Sequence, residues 1–221
     1  MNNTTDKRNE RRGGFYWKEQ TPYVSVTNIL KVLDKPALRY WFGREVYRAM
    51  VVDPTLQESE ALAAPYKTSS KAADRGTTVH SIVEAYKASG AKITPPEEFK
   101  GYAEAFYSWV NDYKLEIKEH EKTLFDEENK LAGTADLICT NNGDTWIIDV
   151  KTGKDIYDEA FLQVSAYMKM SGANRGGVLL LQENGKYKFA ESPNYFEYFL
   201  AVKKMWEFIN RELCEEVGYG K

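Results

Sequence analysis

Cysteine is scarce in this chain. Its 221 residues contain only two, Cys139 and Cys214, which lie far apart in the sequence. Two cysteines cannot by themselves ligate a four-cysteine zinc or iron–sulfur site. Such a pair is typical of reduced thiols in a cytosolic protein, and we therefore expect a cytoplasmic location.

Long apolar runs are also missing. No stretch approaches the roughly 20 apolar residues that a membrane-spanning helix needs, so we expect no membrane segment. The first residues, MNNTTDKRNERR, are polar and charged and do not have the pattern of a signal peptide.

A surplus of positive charge is lacking as well, since the net charge is −3 and the sequence pI is about 5.6. Proteins that coat nucleic acid without sequence preference are usually basic, so this class is disfavoured. An enzyme with a local positive groove, or with carboxylates neutralised by a metal ion, remains compatible with these values.

The first part of the chain predicts mainly helices. Residues 15–26 look extended, and a short helix follows with Thr27 as its N-cap. A second helix is predicted from the proline at position 36 to about Met50, because proline suits a first helical turn. Residues 51–68 hold two prolines and polar side chains and indicate a partly helical connector.

Two further helices are predicted at residues 69–89 and 97–120, the first ended by Gly90. The second helix carries an apolar stripe, which we interpret as core packing and not as a surface for stacking bases. The stripe consists of Tyr102, Phe106, Trp109, Val110 and Tyr113.

The pattern then changes to strands. A short extended piece LFDEE, the run LAGTADLICT, the turn signal NNGD and the run TWIIDVKTG predict an antiparallel meander. A helix at 157–171, a strand GGVLLLQEN with a turn at Gly185, and a helix over about 194–216 follow. This order predicts an α/β or α+β fold with a mixed central sheet flanked by helices. We divide the chain into a disordered tail (1–14), an N-terminal helical extension (15–68) and a core (69–221).

Two aspartates occupy adjacent strands of the predicted hairpin. Asp136 precedes the apolar pair Leu137-Ile138, and Asp149 ends an apolar run. A carboxylate at the end of a buried strand is unfavourable unless it is paired, hydrogen-bonded or bound to a metal ion. One such residue would favour a salt-bridged or turn-flanking aspartate, but two facing each other weaken that interpretation.

Lys151 follows Asp149 at a spacing of two, which places both side chains on one face of a strand. The three charges could form a plain salt bridge or a hydrolytic centre. In a hydrolytic centre the acids and the Val150 carbonyl would hold a hard cation. That cation would polarise a phosphate and activate water. Lys151 would orient or deprotonate the water, or stabilise charge on the phosphate.

Glycines frame this group, with Gly133 before the first acid and Gly153 after the lysine. Small residues let a phosphate backbone approach closely, although turn formation would explain them equally well.

Two residue pairs at a spacing of four share a helix face each. His80 and Glu84 could supply a metal ligand and a nearby carboxylate, whereas Gln163 and Tyr167 could bond to each other or reach a phosphate. A lone histidine is more often a surface or core residue, and the only other one here is His120.

The order of these motifs (RG..VH, GTAD, DVK and Q...Y) resembles the RecB-type branch of the PD-(D/E)XK nuclease superfamily, over about residues 75–167. The segment SVTNILKVLDKPAL, followed by APYKTSSKAADRGTTVH, looks like phage-encoded, CRISPR-associated-type exonucleases of this branch. The resemblance implies a restriction-endonuclease-like core, in agreement with the fold predicted above.

The resemblance also implies a role for each matching residue. His80, Asp136 and Asp149 correspond to metal ligands, with Asp149 and Lys151 forming the D-x-K strand. Catalytic roles fall to Asp136, Asp149, Lys151, Gln163 and Tyr167, and the last two also contact DNA. Glu84 and Arg75 match less regular positions, Glu84 as a further carboxylate at the metal and Arg75 at the DNA.

The cofactor that the resemblance implies is Mg²⁺ or Mn²⁺. Oxygen ligands suit Mg²⁺, whereas an imidazole from His80 favours Mn²⁺. Many relatives carry four cysteines for an iron–sulfur cluster, and two cysteines cannot supply that, so we expect no cluster.

The expected activity is hydrolysis of phosphodiester bonds at DNA ends, single- or double-stranded, in phage-type recombination, repair or processing. A structure-specific endonuclease and a catalytically weak DNA-binding accessory protein are the alternatives. For contact with DNA we select Arg75, Lys154 and Arg175, which lie near the motifs in sequence, and such contacts should weaken with salt. If the chain is phage-encoded, the cytoplasm is that of the host.

Overall fold

The computed structural model describes residues 9–220, which form an eight-stranded mixed sheet covered by helices on both faces. The strands are β1 (Asn9–Arg12), β2 (Phe15–Lys18), β3 (Thr21–Ser25), β4 (Glu116–Asp126), β5 (Leu131–Asn141), β6 (Asp144–Lys151), β7 (Arg175–Leu181) and β8 (Tyr187–Glu191). The helices are α1 (Val26–Ile29), α2 (Pro36–Val52), α3 (Glu58–Ser89), α4 (Lys100–Tyr113), α5 (Asp158–Ser171), α6 (Phe196–Ile209) and α7 (Arg211–Val217). Short 3-10 turns follow α1 and precede α4.

Most of the sheet follows one path, in the order β1–β2–β3–β5–β6–β7–β8, and β4 pairs with β5 outside this path. The pairs β3–β5 and β6–β7 are parallel, and all other pairs are antiparallel. The predicted mixed central sheet flanked by helices is therefore confirmed.

The sheet separates two hydrophobic cores. On one face, α1, α5, α6 and α7 bury side chains such as Val164, Phe199 and Trp206 against the sheet. On the other face, the second half of α3 and the whole of α4 bury Val79, Phe106 and others. The predicted apolar stripe of α4 lies in this second core, so its interpretation as core packing is confirmed.

The predicted helix at 97–120 is wrong in its second half. Helix α4 ends at Tyr113, where Lys114 adopts a left-handed conformation with φ 50°, and β4 begins at Glu116. The charged residues of β4 lack apolar alternation because this strand lies outside the main path of the sheet and is largely exposed. Strand pairing with β5, a long-range effect, determines the structure of this segment.

Helix α3 is longer than the predicted helix at 69–89. It begins at Glu58 with a capping box between Gln57 and Glu60, and Pro65 lies inside it. The predicted last helix at about 194–216 is divided into α6 and α7 near Asn210.

The N-terminal segments take part in the same sheet as the predicted core. Of the expected tail at 1–14, residues 1–8 lie outside the described part, and Asn9–Arg12 form β1. The expected helical extension at 15–68 also contains β2 and β3, and β3 pairs with β5 at Leu131 and Ala132. Within residues 9–220, no helix is both long and apolar enough to cross a bilayer.

Candidate active site

The site lies at a gap in the strand pairing of β5. One edge of β5 is covered by β4 along most of its length. The other edge pairs with β3 only at 131–132 and with β6 only at 137–141, so residues 133–136 are left between them. Asp136 lies in this gap, and Asp149 of β6 follows Ile148, which pairs with Leu137. The topology therefore brings the two predicted acids together.

The two carboxylates are held in an enclosed place. The Asp149 side chain is 1% exposed and that of Asp136 is 15% exposed. The amide of Val150 donates a hydrogen bond of 2.7 Å to Asp136 Oδ2. This bond fixes the Asp136 carboxylate against the strand that carries Asp149.

Lys151 lies on the same face as Asp149, as the spacing of two predicted. Its Nζ donates a hydrogen bond of 2.9 Å to Asp149 Oδ1 and lies 2.8 Å from Oδ2. The second contact lacks hydrogen-bond geometry, and Oδ2 is a buried oxygen without a hydrogen-bond partner among residues 9–220. Oδ2 thus has an ion-pair contact with Lys151 but accepts no hydrogen bond from the described residues, and a buried ionisable oxygen of this kind is suited to binding a cation.

Burial and neighbouring charges perturb the pKa values of the two acids. Burial raises the pKa of Asp136, and the neighbouring charge of Asp149 raises it further. Burial also raises the pKa of Asp149, against the opposing effect of Lys151. Burial alone would lower the pKa of the Lys151 ammonium, but the charges of Asp149 and Asp136 outweigh it and raise that pKa. In the absence of a cation, Lys151 is therefore firmly protonated.

His80 reaches the site from α3, as predicted. Its Nε2 lies 3.9 Å from Asp136 Oδ2, and its Nδ1 lies 3.5 Å from Glu121 Oε1. Glu84, one turn further along α3, acts on His120 and raises the pKa of that imidazole, although burial lowers it overall. The charge of Glu84 thus lies within electrostatic range of His120.

His120 and Glu121 form a group with His80 that could hold a metal ion. Sequence reasoning missed this group because β4 was predicted as the end of a helix. The proximity of the only two histidines of the chain depends on how α3 packs against β4, which no local pattern indicates.

Tyr167 and Gln163 extend from α5 toward the acids. The Tyr167 ring is 2% exposed and lies against Gly133, where an added Cβ would be 2.6 Å from Tyr167 Cε1. Burial and the charges of Asp149 and Asp136 raise the Tyr167 pKa, while a hydrogen bond with Gln163 lowers it. Tyr167 is thus a neutral phenol, and Gly133 is required here for the close approach of its ring.

A cavity of about 270 Å³ opens beside Lys151, lined by Lys31, Lys35, Gly153 and Gln163 among others. Lys35 is paired with Glu159 at 2.8 Å. Lys31 and Lys35 were not selected from the sequence, because they precede the two acids, Asp136 and Asp149, by more than a hundred residues.

A larger cavity of about 720 Å³ adjoins the first and shares Lys35, Tyr157 and Glu159 with it. It lies under α2 and is lined by Lys154 together with aromatic side chains of α2, Tyr40 and Trp41. The predicted DNA contact Lys154 therefore lies close to the candidate site.

The other two predicted DNA contacts are placed differently. Arg175 is the first residue of β7 and pairs with Trp146 of β6. Lys151 pairs with Leu180, near the other end of β7. Arg175 binds Asp144 and Glu191, so the structure does not bring it to the acids. Arg75 lies on α3 five residues before His80 and is half-buried, with a buried Nε that lacks a partner among the described residues.

Comparisons with known proteins give only distant matches. No family model and no curated protein matches the chain. Among solved structures, SSO0001 is 14% identical with a TM-score of 0.44, over 87% of this chain and 77% of that one.

An alkaline exonuclease from Laribacter hongkongensis is 10% identical with a TM-score of 0.40, over 87% of this chain and 94% of its own. A phage related exonuclease from Haemophilus somnus is 12% identical with a TM-score of 0.35, over 61% of this chain and 82% of its own. At such values neither a fold family nor an activity transfers to this chain.

Proposed function

We propose that this chain is a divalent-metal-dependent nuclease of PD-(D/E)XK type that hydrolyses phosphodiester bonds in DNA. The observation that carries the proposal is the pair of enclosed carboxylates, Asp136 and Asp149, facing one ammonium, with a buried oxygen of Asp149 that accepts no hydrogen bond from the described residues. The order of sequence motifs described above supports the same conclusion.

The charges at the site favour a cation over a plain salt bridge. A salt bridge would need one carboxylate for Lys151, whereas here burial raises the pKa of both carboxyl groups and the charge of Asp149 raises that of Asp136 further. One ammonium leaves a net negative charge, and an isolated buried charge is costly. A divalent ion bound through oxygen would neutralise it.

The residues that would hold Mg²⁺ or Mn²⁺ are Asp136, Asp149, the Val150 carbonyl and the His80 imidazole. When bound, such an ion supplies charge that polarises a phosphate oxygen and lowers the pKa of water. Neutralisation of the two carboxylates would also remove the charges that raise the Lys151 pKa. Lys151 would then be able to orient the attacking water or to accept a proton from it.

Gln163 and Tyr167 would position the substrate and the acids. Tyr167 fills the space beside Gly133 and remains neutral, so its hydroxyl can donate to a phosphate or a carboxylate. Gln163 lines the cavity beside Lys151 and orients this hydroxyl through their hydrogen bond.

A polyanionic substrate fits the charges around the cavity. Lys31 and Lys35 line it together with Asp155 and Glu159, and Lys35 is paired with Glu159. Lys154 lines the adjoining cavity, so a phosphate chain entering beside Lys151 would meet the ammonium groups of Lys31 and Lys154. We propose DNA ends as the substrate and phage-type recombination or processing as the role, both supported by the sequence resemblance.

A cleavage assay tests the proposal. End-labelled linear DNA, single- and double-stranded, is incubated beside closed circular single strands with Mg²⁺, Mn²⁺ or EDTA. We expect metal-dependent loss of linear DNA only. Lys151→Ala and Asp149→Asn should abolish it, while the matched Asp144→Asn, in the same strand but at its far end, should not.

The other outcomes are equally informative. Cleavage of circles would identify an endonuclease. Binding of DNA without cleavage under any metal condition would contradict the enzymatic proposal and favour an accessory DNA-binding protein.

A further inference from the structure

A second group of ligating side chains lies next to the acid pair. We propose that His80, His120 and Glu121 form a transition-metal site, separate from the one between Asp136 and Asp149, that takes Zn²⁺ or a similar ion. One ligand atom of each residue lies within 4.8 Å of those of the other two. This inference does not depend on the proposed nuclease activity.

The donor types select the ion. Two imidazoles and one carboxylate are a common zinc ligand set, with a fourth position left for water. Mg²⁺ prefers oxygen ligands in octahedral geometry and would find only one carboxylate here. The group therefore differs in ion preference from the oxygen-rich acid pair.

The spacing of the donors agrees with a bound ion. Two ligands that are each about 2.1 Å from a tetrahedral Zn²⁺ are about 3.4 Å apart. His80 Nδ1 and Glu121 Oε1 lie 3.5 Å apart, and no hydrogen bond of good geometry joins them. These two atoms thus need almost no movement to share an ion.

The backbone of β4 is distorted at this point. Glu121 has φ 47°, a left-handed conformation that is uncommon for a residue other than glycine within a strand. Regular strand geometry would direct the side chains of His120 and Glu121 to opposite faces. The distortion lets two consecutive residues turn toward His80, and such strained conformations cluster at functional sites.

His120 has an available donor atom. Its Nε2 is buried and has no hydrogen-bond partner in the described part of the chain. A buried ring nitrogen without a partner is unfavourable, and coordination of an ion would satisfy it. The titratable groups that act on this ring are Glu121, His80, Glu84 and Lys87.

The proposed site shares His80 with the acid pair. Nδ1 faces Glu121, and Nε2 faces Asp136 at 3.9 Å. If Nδ1 binds an ion, the neutral ring carries its proton on Nε2 and can no longer ligate a metal held by Asp136. Zn²⁺ at the second site should therefore weaken binding of Mn²⁺ at the first.

Metal binding to the full chain tests this inference. After treatment with EDTA, the protein is titrated with Co²⁺, whose visible absorption reports nitrogen coordination, and with Zn²⁺ by calorimetry. We expect His120→Ala and Glu121→Gln each to weaken Zn²⁺ binding roughly tenfold or more. Asp149→Asn should retain the Co²⁺ absorption of this site. The control Glu119→Gln, a partly exposed carboxylate paired with Lys122 in the same strand, should bind as the wild type does.

Two results would overturn the inference. One is Zn²⁺ affinity that is unchanged in both His120→Ala and Glu121→Gln. The other is loss of the Co²⁺ absorption in Asp149→Asn, which would place the ion at the acid pair. Because Glu121 is exposed, Glu121→Gln should fold normally and decides the question even if His120→Ala does not fold.

Discussion

Removing one charge of the acid pair should make the metal-free protein more stable. Burial and the neighbouring charge raise the pKa of Asp136 from 3.8 to about 6. Since each tenfold change in proton affinity is worth about 1.4 kcal/mol, the ionised carboxyl destabilises the folded state by up to about 3 kcal/mol. Asp136→Asn removes this charge without changing the volume of the side chain.

The expected gain in the free energy of unfolding is smaller than this upper value of about 3 kcal/mol. Asparagine keeps an acceptor for the Val150 amide, but a neutral acceptor binds an amide less strongly than a carboxylate does. We therefore expect Asp136→Asn to raise the free energy of unfolding by about 1–2 kcal/mol at pH 8 without metal.

The stability difference between Asp136→Asn and the wild type should depend on pH. Because the pKa of Asp136 is raised in the folded state, that state binds a proton more tightly than the unfolded chain does. This contribution to wild-type stability is gained as the pH falls through about 6 and is lost as the pH rises. The advantage of Asp136→Asn should accordingly shrink between pH 8 and pH 5.

Urea denaturation in EDTA at both pH values measures these differences, with Asp144→Asn as the control. Mg²⁺ should stabilise the wild type at pH 8 and have little effect on Asp136→Asn. The reasoning would be refuted if Asp136→Asn were less stable than the wild type at pH 8, or if its advantage were the same at pH 5.

Three further predictions concern packing and substrate contact. Gly133→Ala should destabilise the protein by about 1–3 kcal/mol in urea denaturation, because its Cβ would overlap the Tyr167 ring, while Gly153→Ala, with open space, should not. Trp109→Ala should lower the free energy of unfolding by about 3–5 kcal/mol, because this fully buried ring would leave a cavity; a smaller loss would indicate repacking. Lys154→Ala should weaken DNA binding equally for all sequences and reduce the slope of log affinity against log salt by about 1; an unchanged slope would exclude phosphate contact.

The strands that carry the acids could be predicted because their signals are local. Asn142 and Gly143 both adopt positive φ in the turn between β5 and β6, as the sequence of that turn indicated. The apolar run before Asp149 identified a buried strand, and the spacing to Lys151 gave the shared face.

The parts that could not be predicted depend on contacts between distant segments. The end of α4 depends on a left-handed lysine, Lys114, where no glycine marks the position. Arg175 is near Lys151 in sequence, but it begins β7 while Lys151 ends β6, and parallel pairing separates them by the length of the strand. Glu121 and His120 meet His80 only because β4 is a strand.

Alkylation of the two cysteines can report local opening of the structure at two different places. Cys139 lies fully enclosed in β5, and burial raises its pKa to about 12, so alkylating reagents should reach it only when the sheet separates. Cys214 is buried by its position in the short helix α7 and needs only a local opening of that helix. The two labelling rates therefore separate loosening of the C-terminal helices from opening of the strand that carries Asp136, and protection of Cys139 by a metal ion would be visible without any nucleic acid.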